Sequence, residues 1–371
     1  MITLATAPAE QPTINVELAE YSELFMLIAA FIYTLAFILF TVDTVRSSAT
    51  IRRVEAELAE EQAAERQGTL VSAGVGGDAP NAPANDQDVP DQAEVDDELV
   101  DNDMAYTGAP RPIANVAVAL TAVALAAHAF AVVARGLSAS RWPMGNMYEF
   151  LVSTTVLVAA VYLVALIRRD LRFLGSFVLG LIVTMMIVAT IAFPTPIGHV
   201  QPALQSPWIA IHVSLASLSI GLFVLTFAMN VLQLIQAKRE KAVTAGPASR
   251  TERGLAGGSF LRLVPNAFSL ENWAYRFNAV AFVFWTLGPM ITGAIWAQQS
   301  WGRYWGWDTK EIWTFVIWVV YACYLHARAT RGWTGSRSAW LSIIGFACIV
   351  FNYAVVNVYF PGLHSYAGLP E

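Results

Sequence analysis

Eight runs of apolar residues, each 16 to 30 residues long, constrain this chain more than any other feature. They are Leu24–Val42, Pro112–Ala134, Phe150–Ile167, Phe173–Phe193, Trp208–Ala237, Phe277–Gln298, Ile312–Ala327 and Ala339–Phe360. At ~1.5 Å of rise per residue, each crosses or nearly crosses ~30 Å of hydrocarbon as a helix. The seventh is the shortest and is extended by snorkelling of Arg328 and by the interfacial Trp313. A composition 56% hydrophobic and 13% charged could not cover the surface of a soluble domain, whereas lipid covers an apolar one. The expected fold is therefore an all-α integral membrane protein with about eight transmembrane helices. No basic stretch precedes the first run, so it reads as a retained helix rather than a cleaved signal.

The net charge of −6 hides a division. Residues 55–103 hold fifteen of the twenty-eight acids and a single base, Arg66, leaving the remainder of the chain basic. One alternating set of loops carries eighteen Lys and Arg residues, and the other only Arg135, Arg141, Arg303 and Lys310. Basic loops stay cytoplasmic, which places both termini outside. The chain then divides into an external segment at 1–23, a first transmembrane helix at 24–42 and a cytoplasmic loop at 43–111. A membrane domain at 112–368 and an external tail at 369–371 complete it. The 43–111 loop is acidic and, over 67–110, expected to be disordered, although Ile51–Glu65 is Ala- and Glu-rich enough to extend the first helix. The basic loop 238–275 suits anionic lipid headgroups, and no feature calls for nucleic acid. Cys323 and Cys348 lie inside apolar runs, and neither CxxC nor CxxCH occurs, which excludes dithiol redox chemistry and a covalently attached heme on this chain. No internal repeat is present, against a transporter built of inverted halves.

Between the sixth and seventh runs, the external loop reads Gln299-Ser-Trp-Gly-Arg-Tyr-Trp-Gly-Trp-Asp-Thr-Lys-Glu311. With Trp296 and Trp313, five tryptophans fall within residues 296–313. An interfacial aromatic belt explains one or two of them. A Gly-spaced cluster also fits a flat apolar platform for a large planar ligand, with Trp301 and Trp305 on one face if the loop is helical and Gly302 and Gly306 leaving room beside the rings. Both readings stand on the residues alone. Asp308 and Glu311 match an N-cap with its capping-box partner.

The histidines sort by depth. His212 and His364 lie at the outer ends of the fifth and eighth helices, on the side of the tryptophan loop, and fit bis-imidazole ligation of a metal. His128 lies roughly 24 Å from the inner end of its helix, and His326 roughly 21 Å below the start of its own, too far apart in depth to share one iron. Ionisable residues inside a membrane are functional candidates by default. His199, in a Pro-rich external loop, reads as solvent-exposed.

Trp301-Gly-x-x-Trp-x-Trp-Asp-x-Lys-Glu311 resembles the WWD signature of heme-handling proteins of cytochrome c assembly. Pro143–Glu149, Pro202–His212, Tyr324–Arg328 and Leu363–Tyr366 resemble flanking motifs of the CcsA/ResC (or CcsB) branch of system II. The resemblance covers roughly residues 115–368 and departs at Thr309, where the family usually has Pro. It implies an external tryptophan-rich platform at Trp301, Gly302, Trp305, Gly306, Trp307 and Asp308 holding non-covalent heme b. His212 and His364 would be its external iron ligands, and His326 would bind heme within the membrane, with His128 a weaker candidate. It also implies heme movement outward across the cytoplasmic (inner) membrane and a Ccs1/ResB-type partner. Thiol-reducing proteins would act indirectly, and the apocytochrome c CxxCH thiols would add to the heme vinyl groups, so that any holocytochrome c synthase activity belongs to the complex. No catalytic acid or base stands out. An electron-transferring b-type cytochrome would need histidines paired at matching depth, and a small-molecule transporter would need charges near the midplane; neither explains the tryptophan loop.

Overall fold

The computed structural model describes residues 13–73, 104–106, 108, 110–245, 258–330, 333–360 and 362–364. Among them, eight helices are long and apolar enough to cross a membrane, as the apolar runs require. They are α1 (Val16–Ala73), α2 (Pro112–Ser138), α3 (Met147–Arg168), α4 (Gly175–Ala192), α5 (Pro207–Ala245), α6 (Ala267–Trp301), α7 (Thr309–Ala329) and α8 (Ser336–Tyr359). Successive helices run antiparallel, so the tryptophan loop, the start of α5 and the end of α8 share one end of the bundle, the loop end.

The first helix is longer than its apolar run. It begins at Val16 rather than Leu24 and continues to Ala73. Residues 43–73 are rich in Ala, Glu and Arg and hold one Gly and no Pro, so helix propensity carries the apolar span onward. The acidic 43–111 segment thus starts as helix, and residues 74–103 lie outside the described residues. Met104 belongs to the core of the bundle: it is fully buried, and its carbonyl accepts the Asp170 N–H at 2.7 Å.

Alternating steps of three and four residues build the contact between α1 and α2. Ser22, Met26, Ala29, Tyr33, Ala36, Phe40 and Asp43 face Ala114, Ala117, Thr121, Ala124, His128 and Ala131, all buried. Small residues on this repeat let two backbones approach closely in lipid, where packing rather than water exclusion drives association. Each end is pinned. Arg111 Nε donates to Asp43 Oδ2 at 2.8 Å, while Ser22 Oγ donates to the Ala131 carbonyl at 2.7 Å. A second polar tie joins three helices, where Asn230 of α5 and Asn278 of α6 both donate to Ser342 Oγ of α8 at 3.0 Å.

Two helices are not regular throughout. α6 contains a π-helical stretch at Thr286–Thr292 around Pro289, whose ring removes a backbone donor. α8 contains another at Asn352–Val356. Both lie toward the loop end, and such π turns concentrate at functional sites because they redirect side chains and free backbone carbonyls.

Candidate functional site

The two π turns border one pocket at the loop end, formed by α3, α5, α6, α7 and α8 with residues 144–147 and the tryptophan loop. It encloses about 1140 Å³ of empty space including its open mouth, and its walls are mainly apolar, among them Phe150, Ile209, Val213 and Trp285. His212 and His364 both line it.

His212 stands one turn into α5, and the π turn of α6 holds its ring. Its Nδ1 lies 3.2 Å from the Gly288 carbonyl, which also accepts the Thr292 hydroxyl at 2.8 Å. A carbonyl only accepts, so Nδ1 carries the proton and Nε2 carries the lone pair. A Cβ at Gly293 would come within 2.8 Å of that Nδ1, so this position admits glycine and little else. The imidazole lies parallel to the Trp296 ring, 5.9 Å between centroids at 9°.

His364, past the end of α8, is fixed in the same manner by a different acceptor. Its Nδ1 lies 3.1 Å from Asp308 Oδ2. Burial pushes the Asp308 carboxyl upward, but the hydrogen bond and charge of His364 and the backbone N–H groups of Glu311 and Lys310 outweigh it and hold the pKa at about 2. The carboxylate therefore accepts from Nδ1–H, and in the neutral ring Nε2 of His364 carries the lone pair. Its ring packs edge-on against Trp301 and Trp296, at 4.8 and 5.6 Å. Among the described residues, no hydrogen bond engages Nε2 of either histidine. Two imidazoles with Nδ1 anchored and Nε2 uncommitted are arranged as metal-ligating histidines are, each oriented by an outer partner.

The tryptophans take three different positions. Helix α6 ends at Trp301 because Gly302 adopts φ 73°, so Trp301 and Trp305 do not share a helical face as the four-residue spacing suggests. Trp305 lines the pocket, and its indole N–H is buried without a partner. Trp307 has φ 59° and is 68% exposed, with its ring at 83° to that of Trp305. Gly306 makes room for Arg303 rather than for a ring, since a Cβ there would meet the guanidinium at 2.5 Å. The expected capping box is present: Asp308 Oδ1 accepts Lys310 N and Glu311 N, and Glu311 Oε2 accepts Asp308 N and Gly306 N. One carboxylate of that box also holds His364, so the cap and the imidazole share a residue.

The remaining histidines are elsewhere. His128 is fully buried in the α1–α2 contact with its ring edge-on to Tyr33 at 5.8 Å, and neither ring nitrogen has a partner. His326 is exposed on the outer face of α7, and His199 is exposed in its loop. Sequence reasoning missed two features. Trp296 touches both pocket imidazoles, and its indole N–H donates to the Ala203 carbonyl at 2.9 Å. Glu149, fully buried, accepts from Arg135 Nε at 3.0 Å and Arg141 Nη1 at 2.7 Å. Those arginines reach on to the carbonyls of Thr195 and Gly198, tying the pocket-lining 144–147 segment to the loop after α4. A glutamate opening an apolar helix beside two of the four basic residues of the sparsely basic loop set was the available signal.

The sequence profile of the cytochrome c assembly protein family matches residues 144–364, which contain the whole pocket. The chain is 35% identical over 252 residues to a cytochrome c biogenesis protein CcsA of Heterosigma akashiwo, covering 62% of this chain and 77% of that one. Proteins of the same description from Chlorella vulgaris and Gloeobacter violaceus are each 32% identical. Those alignments cover 64% of this chain and 81% and 82% of the relatives, respectively.

Proposed function

This chain belongs to the cytochrome c assembly protein family, and we propose from that premise that its loop-end pocket holds heme for covalent attachment to apocytochrome c. It is a multi-pass membrane protein of cytochrome c biogenesis. The observation that carries the finer reading is the pair His212 and His364, each with Nδ1 anchored and Nε2 free on one apolar pocket. Neutral imidazole nitrogens are the protein ligands best suited to heme iron in this setting. Heme b enters here as cargo. Trp305 and the aliphatic walls cover the macrocycle, and Trp301, Gly302, Gly306, Trp307 and Asp308 shape and cap the loop that closes over it. Each CxxCH thiol of the apocytochrome adds its S–H across a heme vinyl group. The contribution of this chain is to fix the heme and exclude water while that addition occurs.

The loop end is extracytoplasmic on the strength of the eighteen-to-four division of basic residues, and the family resemblance makes the membrane the cytoplasmic one. His326 takes the other end of the path. It continues a stripe of exposed side chains on α7, Ile312, Phe315, Val319 and Cys323, and an imidazole facing lipid is costly. A Ccs1/ResB-type partner covers this stripe and supplies the second ligand to a membrane heme. The test is purification of the chain alone and with its co-expressed partner, followed by absorption spectroscopy. A low-spin b-type spectrum is expected, with His326→Ala lowering heme content only in the complex. A complex purified without heme would overturn the reading.

A further inference from the structure

The pocket contains a basic amine that the iron-ligand geometry leaves unused. Lys310, in the first turn of α7, lines the cavity together with both imidazoles. Its Nζ donates to Asn357 Oδ1 at 2.7 Å and lies 5.6 Å from the Tyr353 ring centroid. Among the described residues no carboxylate lies within ion-pair distance of it. The two nearby acids are occupied, Asp308 by His364 and two backbone N–H groups, and Glu311 by the backbone N–H groups of Gly306 and Asp308. An ammonium in a mainly apolar cavity is costly unless an anion joins it.

Two further observations point to the same kind of ligand. The Trp305 indole N–H can only donate, and it is buried without an acceptor. The Tyr353 hydroxyl is likewise buried and unpartnered, and both residues line this pocket. Unused donors on three pocket residues, one of them an amine that a bound anion would hold protonated, ask for an acceptor that carries negative charge. We propose that Lys310 is the carboxylate-recognition residue of this pocket, pairing with a propionate of the bound tetrapyrrole and fixing which edge of the macrocycle faces the π turn of α8. This rests on the pocket being a heme site, and it adds a requirement that iron ligation does not make.

The test compares heme with heme dimethyl ester, which retains the iron and the ring but has no carboxylates. The full-length protein in detergent is titrated with each and followed by its absorption spectrum. Wild type is expected to bind the diacid about tenfold more tightly than the diester, the scale of one charge-assisted contact. Lys310→Met should abolish that preference by weakening the diacid about tenfold while leaving the diester unchanged, which also reports that the variant is folded. Lys310→Arg should retain the preference. Equal binding of diacid and diester by wild type, with both spectra low-spin, would overturn the proposal and leave the heme site standing. Equal loss of both ligands in Lys310→Met would mark the lysine as structural and overturn it as well. Failure of wild type to bind either ligand would overturn the heme site and this proposal together.

Discussion

Two regions of the molecule place histidine among apolar side chains, and they treat it in opposite ways. In the α1–α2 contact, His128 is fully buried, neither nitrogen is hydrogen-bonded, and only the Tyr33 ring and small neighbours hold it. In the loop-end pocket, His212 and His364 each have one nitrogen tied to an oxygen acceptor and the other free. The helices differ in the same sense. α1 and α2 are unbroken and meet on a strict three-and-four repeat, whereas α6 and α8 break into π turns where they border the pocket. A histidine held only by packing fills space. One held through Nδ1 has its ring orientation fixed by the acceptor, and the π turn of α6 carries the Gly288 carbonyl that serves His212.

The sharpest way to break this contrast is to empty a ligand position. His212→Gly and His364→Gly should each lose the low-spin spectrum, and added imidazole should restore it by filling the vacated space, with His199→Gly unchanged. Two normal spectra would remove the distinction between the pocket and the seam.

The next effect falls on the seam. Asp43→Ala leaves Arg111 buried without its partner, which costs about 3–5 kcal/mol. Thermal unfolding of the purified protein should register that loss, while heme affinity per folded molecule stays unchanged. A parallel fall in heme affinity would mean that the α1–α2 pair supports the pocket directly.

Asp308→Asn tests the anchoring of His364 separately from the helix cap, since asparagine still caps α7. Heme affinity should fall about 10- to 100-fold, as for other outer partners of ligating histidines. Because the folded pKa of Asp308 is depressed to about 2, its stabilising contribution is fully present above its unfolded value near ~3.9 and is lost only as pH falls toward 2. The deficit of the Asn variant should therefore persist undiminished from pH 8 down to pH 5 in a melting series; a deficit that disappears on going to pH 5 would contradict the assigned charge state.

The smallest effect is expected at His128. Replacing it with Leu removes two buried nitrogens that have no partner and should leave the protein as stable or about 1 kcal/mol more stable, with normal heme content. Loss of heme in His128→Leu would move that residue from packing to ligation.

Much of this was legible in the chain itself. The eight spans follow from the length of the apolar runs, the start of α7 from Asp308 and Glu311, and the placement of His212 and His364 at one end from counting helices. Each of these depends on residues close together in sequence, or on the fact that a bilayer leaves helices few alternatives. The extension of α1 to Ala73 was only half visible, because propensity without an apolar face is a weak signal. Tertiary structure alone decided the partners: Gly288 for His212 across 76 residues, Asp308 for His364 across 56, and Asn357 for Lys310 across 47. It also set Trp296 against both imidazoles and turned Trp305 inward while Trp307 faces out. The reason is physical. A membrane helix is apolar on most of its surface, so hydropathy fixes its length and barely its rotation. Which side chains meet depends on that rotation, on the π turns that shift it part-way along α6 and α8, and on packing that no single segment specifies.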